Sequence, residues 1–153
     1  MGFFVVIGLL ALLAVWLWTR NPEVSSNASN SGPVAVNAIE LLGDGSFSFE
    51  IVGEAFYQAA IELIAGGRTE EGVEVETPAL LVPEPTNPHD HNAVAVQIFG
   101  HTVGYLSRPN AARYRAAHGL IPASCTALIV GGWDRGPEDQ GHFGVKLDID
   151  DVV

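Results

Sequence analysis

The sequence predicts a mainly β domain with two short helices, folded as a small β-barrel and preceded by an N-terminal transmembrane helix. Three observations predict it. Short alternating segments recur between residues 46 and 149, separated by Gly, Pro and Asx turns, the pattern of a small barrel. Two segments interrupt the alternation with helical spacing, and each ends at glycine. Residues 2–18 carry no charge and almost no polar group, which suits hydrocarbon better than a globular core.

In chain order, residues 1–20 read as the anchor. Seventeen helical residues span roughly 25 Å, enough for a thin bilayer. Trp16 and Trp18 close the run at headgroup depth, and Arg20 follows. A cleaved signal peptide is the competing reading, with Ser26-Asn27-Ala28 as its cleavage site. Against it, no Lys or Arg precedes the run, which exceeds the roughly 7–15 residues of a signal-peptide apolar region. Arg20 is the flanking charge, and the positive-inside rule places the domain of this single-pass membrane protein in the cytoplasm. Residues 21–44 are rich in Asn, Ser, Gly and Pro at first and read as a flexible linker.

Residues 45–150 form the expected barrel domain. Phe47, Phe49 and Ile51 alternate in a strand over 46–53. A helix over 54–65 places Tyr57, Ala60, Ile61 and Ile64 on one face and stops at Gly66-Gly67. A strand over 73–82 contains Pro78, a candidate break. Strands at 93–99 and 102–106 meet in a tight hairpin through Gly100-His101. Pro109 suits the first turn of a helix over 108–118, and Gly119 its end. Strands at 124–131 and 143–149 complete six.

Of 153 residues, 48% are hydrophobic, too many for a disordered chain, and 18 acids face seven bases. That balance excludes a protein that wraps nucleic acid indiscriminately. The single cysteine, Cys125, excludes a disulfide framework and a Cys-rich zinc module; it reads as a core residue. The charge is segregated. Residues 40–76 hold nine acids and one arginine, whereas residues 85–133 hold one acid, Asp90, and three arginines. Arg108 and Arg115 fall about 20° apart on a helical wheel and project from one face.

The most informative stretch is Glu84-Pro85-Thr86-Asn87-Pro88-His89-Asp90-His91-Asn92-Ala93-Val94-Ala95-Val96. Its prolines and Asx residues describe a rigid loop feeding a buried strand. Val52-Gly53 before Phe56 and Tyr57 precedes it, and Val103-Gly104-Tyr105-Leu106 follows. With these three landmarks in order, residues 48 to 148 resemble the HIRAN domain. The resemblance implies an OB-like barrel and binding of the 3′ end of single-stranded DNA. It assigns Asp90 to the terminal hydroxyl and Phe56 or Tyr57 to base stacking. His89 stands where the family pattern has tyrosine, and an imidazole can also stack. Ala55 stands where a basic residue would help to hold phosphate. Arg108 and Arg115 are the candidate phosphate contacts.

Other chemistries have less behind them. His89-x-His91 with His101 nearby offers an incomplete metal set, the basis of an outside reading as a metal-dependent hydrolase. The one lysine, Lys146, lies in no phosphate-binding loop. Trp133 reads as core packing or a stacking face. No cofactor and no catalytic residue is expected. The alternative to a nucleic-acid-end binder is an adaptor whose acidic face, residues 40–76, meets a basic protein or small ligand.

Overall fold

The computed structural model describes residues 37–153, so the expected transmembrane helix and most of the linker lie outside the described residues. No helix among the described residues is long and apolar enough to cross a membrane. The elements are β1 (Ile39–Glu40), β2 (Phe49–Glu50), a 3-10 turn (Glu54–Phe56), α1 (Gln58–Ala65), β3 (Val73–Pro83), β4 (Val94–Ile98), β5 (His101–Tyr105), α2 (Arg108–His118), β6 (Ala123–Gly131) and β7 (Phe143–Asp148).

The fold is mainly β with two helices, and one sheet curls around the core. Its order is β2-β7-β6-β3-β4-β5, with β1 added in parallel beside β6. Past β2 the chain returns to the far edge, where Val52 and Tyr105 exchange backbone bonds of 2.8 Å in both directions. That two-bond bridge joins the ends of the sheet. Six expected strands become seven because β1 forms inside the segment read as linker. Ile39 donates to the Pro122 carbonyl and Leu41 to that of Ser124. The packed domain therefore begins at about Ile39, ahead of residue 45.

Two expected elements are shorter than the pattern suggested. The 46–53 segment is a strand only at Phe49–Glu50, because Phe47 turns to a positive φ of 48° before it. The 54–65 segment divides in two at Tyr57, whose φ of −120° lies outside the helical range. Gly53, at φ 88°, makes the turn into it, a conformation costly for a residue with a Cβ. Pro78 does not break β3, which runs unbroken from Val73 to Pro83. Only β6 pairs with β3 at Pro78, since β4 pairing starts at Leu80, so the missing N–H costs no second ladder.

Inward residues of every long strand converge on one core. Ala79 and Leu81 of β3, Val94, Val96 and Ile98 of β4, and Cys125, Ala127 and Ile129 of β6 are buried together. Alternation in β6 and β7 is complete, with outward Thr126, Leu128, Lys146 and Asp148 between the inward residues. α1 packs on β5 and β7 and buries Ile61 fully. α2 inserts Ala111 and Tyr114, whose hydroxyl donates to the Ile121 carbonyl at 2.7 Å, satisfying a buried polar group. Cys125 is buried, as expected of a core residue, and burial pushes its thiol up to about 12.

Candidate nucleic-acid interface

The Glu84–Ala93 loop is tied to itself at several points. Glu84 donates its amide to the Ala93 carbonyl at 2.8 Å, closing the base of the loop. Asn87 Oδ1 accepts from the His89 amide at 2.9 Å, and Asp90 Oδ1 from the Asn92 amide at 2.8 Å. Both are Asx turns, as two Asx residues among prolines dictate. Arg115 reaches in from α2, and its Nη1 donates to the His91 carbonyl at 3.1 Å.

Beside this loop lies an open cleft of about 270 Å³. The loop contributes Asn87, His89, Asp90 and Ala93; the turn after β2 contributes Val52 and Tyr57; β5 and the start of α2 contribute Tyr105, Leu106 and Arg108. The wall has a physical origin in Gly104. A Cβ there would press on the Ile51 side chain and the Val52 carbonyl, so only glycine lets β5 approach the 51–52 segment. That approach brings Tyr57 and Tyr105 together, with ring centroids 6.2 Å apart and planes inclined at 47°.

The polar wall is ordered by Glu84, whose Oε2 accepts from Asn87 Nδ2 at 2.8 Å and from the Tyr105 hydroxyl at 3.2 Å. Burial first, then the Tyr57 hydroxyl and the Glu84 charge, hold the Tyr105 phenol far above its ordinary value, so it remains a hydroxyl. The exposed Arg108 makes no ion pair among the described residues, whereas Arg113 is taken by Asp151 at 2.6 Å.

Of the six residues singled out from the sequence, Tyr57, His89, Asp90 and Arg108 line this one cleft. Phe56 does not line it, but its ring stands 89% exposed on the 3-10 turn next to Tyr57. Arg115 is not on the cleft wall. It lies behind the loop, half-buried, with no hydrogen-bond partner for Nε among the described residues. Sequence reasoning missed Tyr105 and Asn87 as cleft residues, although both sit in the motifs quoted above. The available signal for Tyr105 was an aromatic at a strand end directly before the arginine-bearing helix. Trp133 faces a different groove, with Glu71 and Glu74, and donates its indole N–H to Asp139 at 3.0 Å. His89, His91 and His101 form no metal set: among the described residues no group of three or more His, Cys, Asp or Glu is placed to hold an ion.

The family described as the HIRAN domain matches residues 44–117, from the approach to β2 through α2, leaving β6 and β7 beyond it. No curated protein and no solved structure matches the chain. The cleft and the landmarks that build it all fall within the matched segment, so the part of the chain that carries the cleft is similar to the HIRAN domain, a likeness that points to nucleic-acid binding at a general level.

Proposed function

We propose that the protein is a membrane-tethered module that binds the 3′ ends of single-stranded DNA. The observation that carries this reading is the meeting of Tyr57, His89, Asp90 and Arg108, from three separate parts of the chain, in one cleft. Each type of group has a task at a strand end. The aromatic faces of Tyr57 and His89 stack on the terminal base, and exposed Phe56 offers a platform for the next one. Asp90 accepts a hydrogen bond from the terminal hydroxyl, a role in which a carboxylate near a polyanion is an asset. Arg108 pairs with the last phosphodiester. Arg115 contributes by holding the loop from behind.

The apolar run at residues 2–18 supplies the tether, with Arg20 keeping the domain on the cytoplasmic side. A reporter fused after Val153 that works only in the cytoplasm should be active, and activity of an export-dependent reporter overturns this topology. The binding test is a fluorescence titration of residues 38–153 against single strands with free or phosphorylated 3′ ends. The free end should bind tighter, because Asp90 repels the added phosphate. Equal binding of both ends removes the end-specific reading.

The net charge of −11 makes low salt the condition of choice, since at ~0.1 M the Debye length is only about 10 Å. A folded fragment that ignores every strand at low salt transfers the function to the adaptor reading. Its support is the acidic outer face, where Glu74 and Glu76 stand exposed on β3, beside the groove at Trp133.

A further inference from the structure

The hydrogen-bonding capacity of the cleft is lopsided. Asn87 lines it with both ends of its amide engaged, Nδ2 on Glu84 and Oδ1 on the His89 amide. Tyr105 gives its only hydrogen to Glu84 Oε2 and so turns lone pairs alone toward a ligand. Asp90 is acceptor-only when ionised, and just one of its oxygens is engaged, by the Asn92 amide. The Tyr57 hydroxyl can rotate to serve either way. On the loop and β5 the unspent donors are a His89 ring N–H and the second Asn87 amide hydrogen, and the free lone pairs of Asp90 and Tyr105 outnumber them, while the guanidinium donors of Arg108 come from the first residue of α2.

We propose that the cleft selects a strand end closed by a ribose, with vicinal 2′ and 3′ hydroxyls, over one closed by a deoxyribose. The inference rests on the strand-end reading above and names its sugar. A deoxyribose terminus brings one donor to a wall with acceptors to spare. A ribose brings two on adjacent carbons, a spacing that one carboxylate can accept with its two oxygens or share with the Tyr105 oxygen. Acceptors built to receive a hydroxyl discriminate strongly against the analogue that lacks it, because they are desolvated and left unfilled. Phosphate chemistry does not account for the same wall, since among the described residues Arg108 is the cleft's only arginine or lysine side chain.

The test uses the full chain in detergent micelles and four labelled strands of one base sequence. One is all DNA; the second ends in a single ribonucleotide; the third ends in its 2′-O-methyl counterpart; the fourth ends in a ribonucleotide that carries a 3′-phosphate. By fluorescence anisotropy the ribonucleotide end should bind roughly tenfold tighter than the DNA end, and 2′-O-methylation or 3′-phosphorylation should remove that gain. Asp90→Asn preserves an oxygen for the Asn92 amide but halves the acceptor set, and should bring the ribonucleotide and DNA ends together. Tyr105→Phe should reduce the gain without abolishing it. A DNA end bound as tightly as the ribonucleotide end overturns the ribose inference and leaves the strand-end reading standing. Failure of all four strands to bind overturns both.

Discussion

Two loops of this molecule are rigid in the same way and poised for different ends. Residues 84–93 connect β3 to β4, and residues 132–142 connect β6 to β7. Both are pinned by short-range bonds from Asx side chains: Asn87 and Asp90 in the first, Asp134 accepting from the Gly136 amide at 3.1 Å in the second. The difference lies in what is left over. In the second loop Trp133 gives its N–H to Asp139, Arg135 gives its Nε to the Glu70 carbonyl at 3.1 Å, and Asp139 faces Arg135 at 3.9 Å. Trp133, Arg135 and Asp139 are thus spent on one another and on the Glu70 carbonyl. In the first loop His89 and Asp90, which has just one oxygen bonded, line a cleft that also holds two phenols and Arg108. Backbone and Asx groups fix that loop, which leaves its chemistry for a ligand. A loop becomes a site by what its folding does not consume.

The strongest way to break the comparison is Asp90→Ala. A charge-assisted hydrogen bond to a terminal hydroxyl is worth roughly 1.5–3 kcal/mol, so affinity for a free 3′ end should fall about tenfold to a hundredfold. The preference over a 3′-phosphorylated end should disappear with it. The same change at Asp139 should leave strand binding untouched. If the two alanine variants bind strands equally well, the first loop is no more a site than the second.

Gly104→Ala attacks the wall rather than the loop. The added Cβ meets Ile51 and the Val52 carbonyl in the bridge that joins the sheet ends. Overpacking of this kind costs about 1–3 kcal/mol, to be read from the midpoint of urea unfolding. Binding should weaken as well, because Tyr105 is displaced relative to Tyr57.

The periodic parts of this design were legible in the sequence. Alternation identified β6 and β7 because one face of each is buried, and Gly66 and Gly119 closed both helices where expected. Pattern failed where tertiary pairing decides. Ile39 and Glu40 form a strand only because Pro122 and Ser124 lie alongside, and nothing local distinguishes them from linker. Pro78 looked like a break because a sequence does not show that one edge of β3 is open there. At the site, the Asn-Pro-His-Asp loop and the tyrosines were visible as types. The bond that aims Tyr105 at Glu84 joins residues 21 apart, and no spacing rule reaches that far. The helical wheel put Arg108 and Arg115 on one face, but it could not show that seven residues along the axis, roughly 10 Å, separate the cleft wall from the back of the loop.

That separation sharpens the comparison at the next scale down. Arg115→Ala removes the donor to the His91 carbonyl, a loss of about 1 kcal/mol in loop stability. Strand affinity should fall severalfold while its salt dependence stays unchanged, since no phosphate contact is lost. Arg108→Ala should lower the slope of log K against log salt by about one unit. A similar drop in slope for Arg115→Ala would show that Arg115 meets phosphate after all.

Arg135→Ala should have the smallest effect, and its smallness is informative. Arg135 and Asp139 are both more than half exposed, and an exposed pair of this kind contributes about 0–1 kcal/mol. The Glu70 carbonyl that loses its donor can turn to water, so no buried group is stranded. The unfolding midpoint should move little, and the salt slope for strand binding should not move at all. Arg135 is as positive as Arg108 and, like it, exposed to any polyanion that met the surface at large. A drop in salt slope on its removal would mean that strands are held by diffuse charge, and the cleft would lose its claim to be where the end is read.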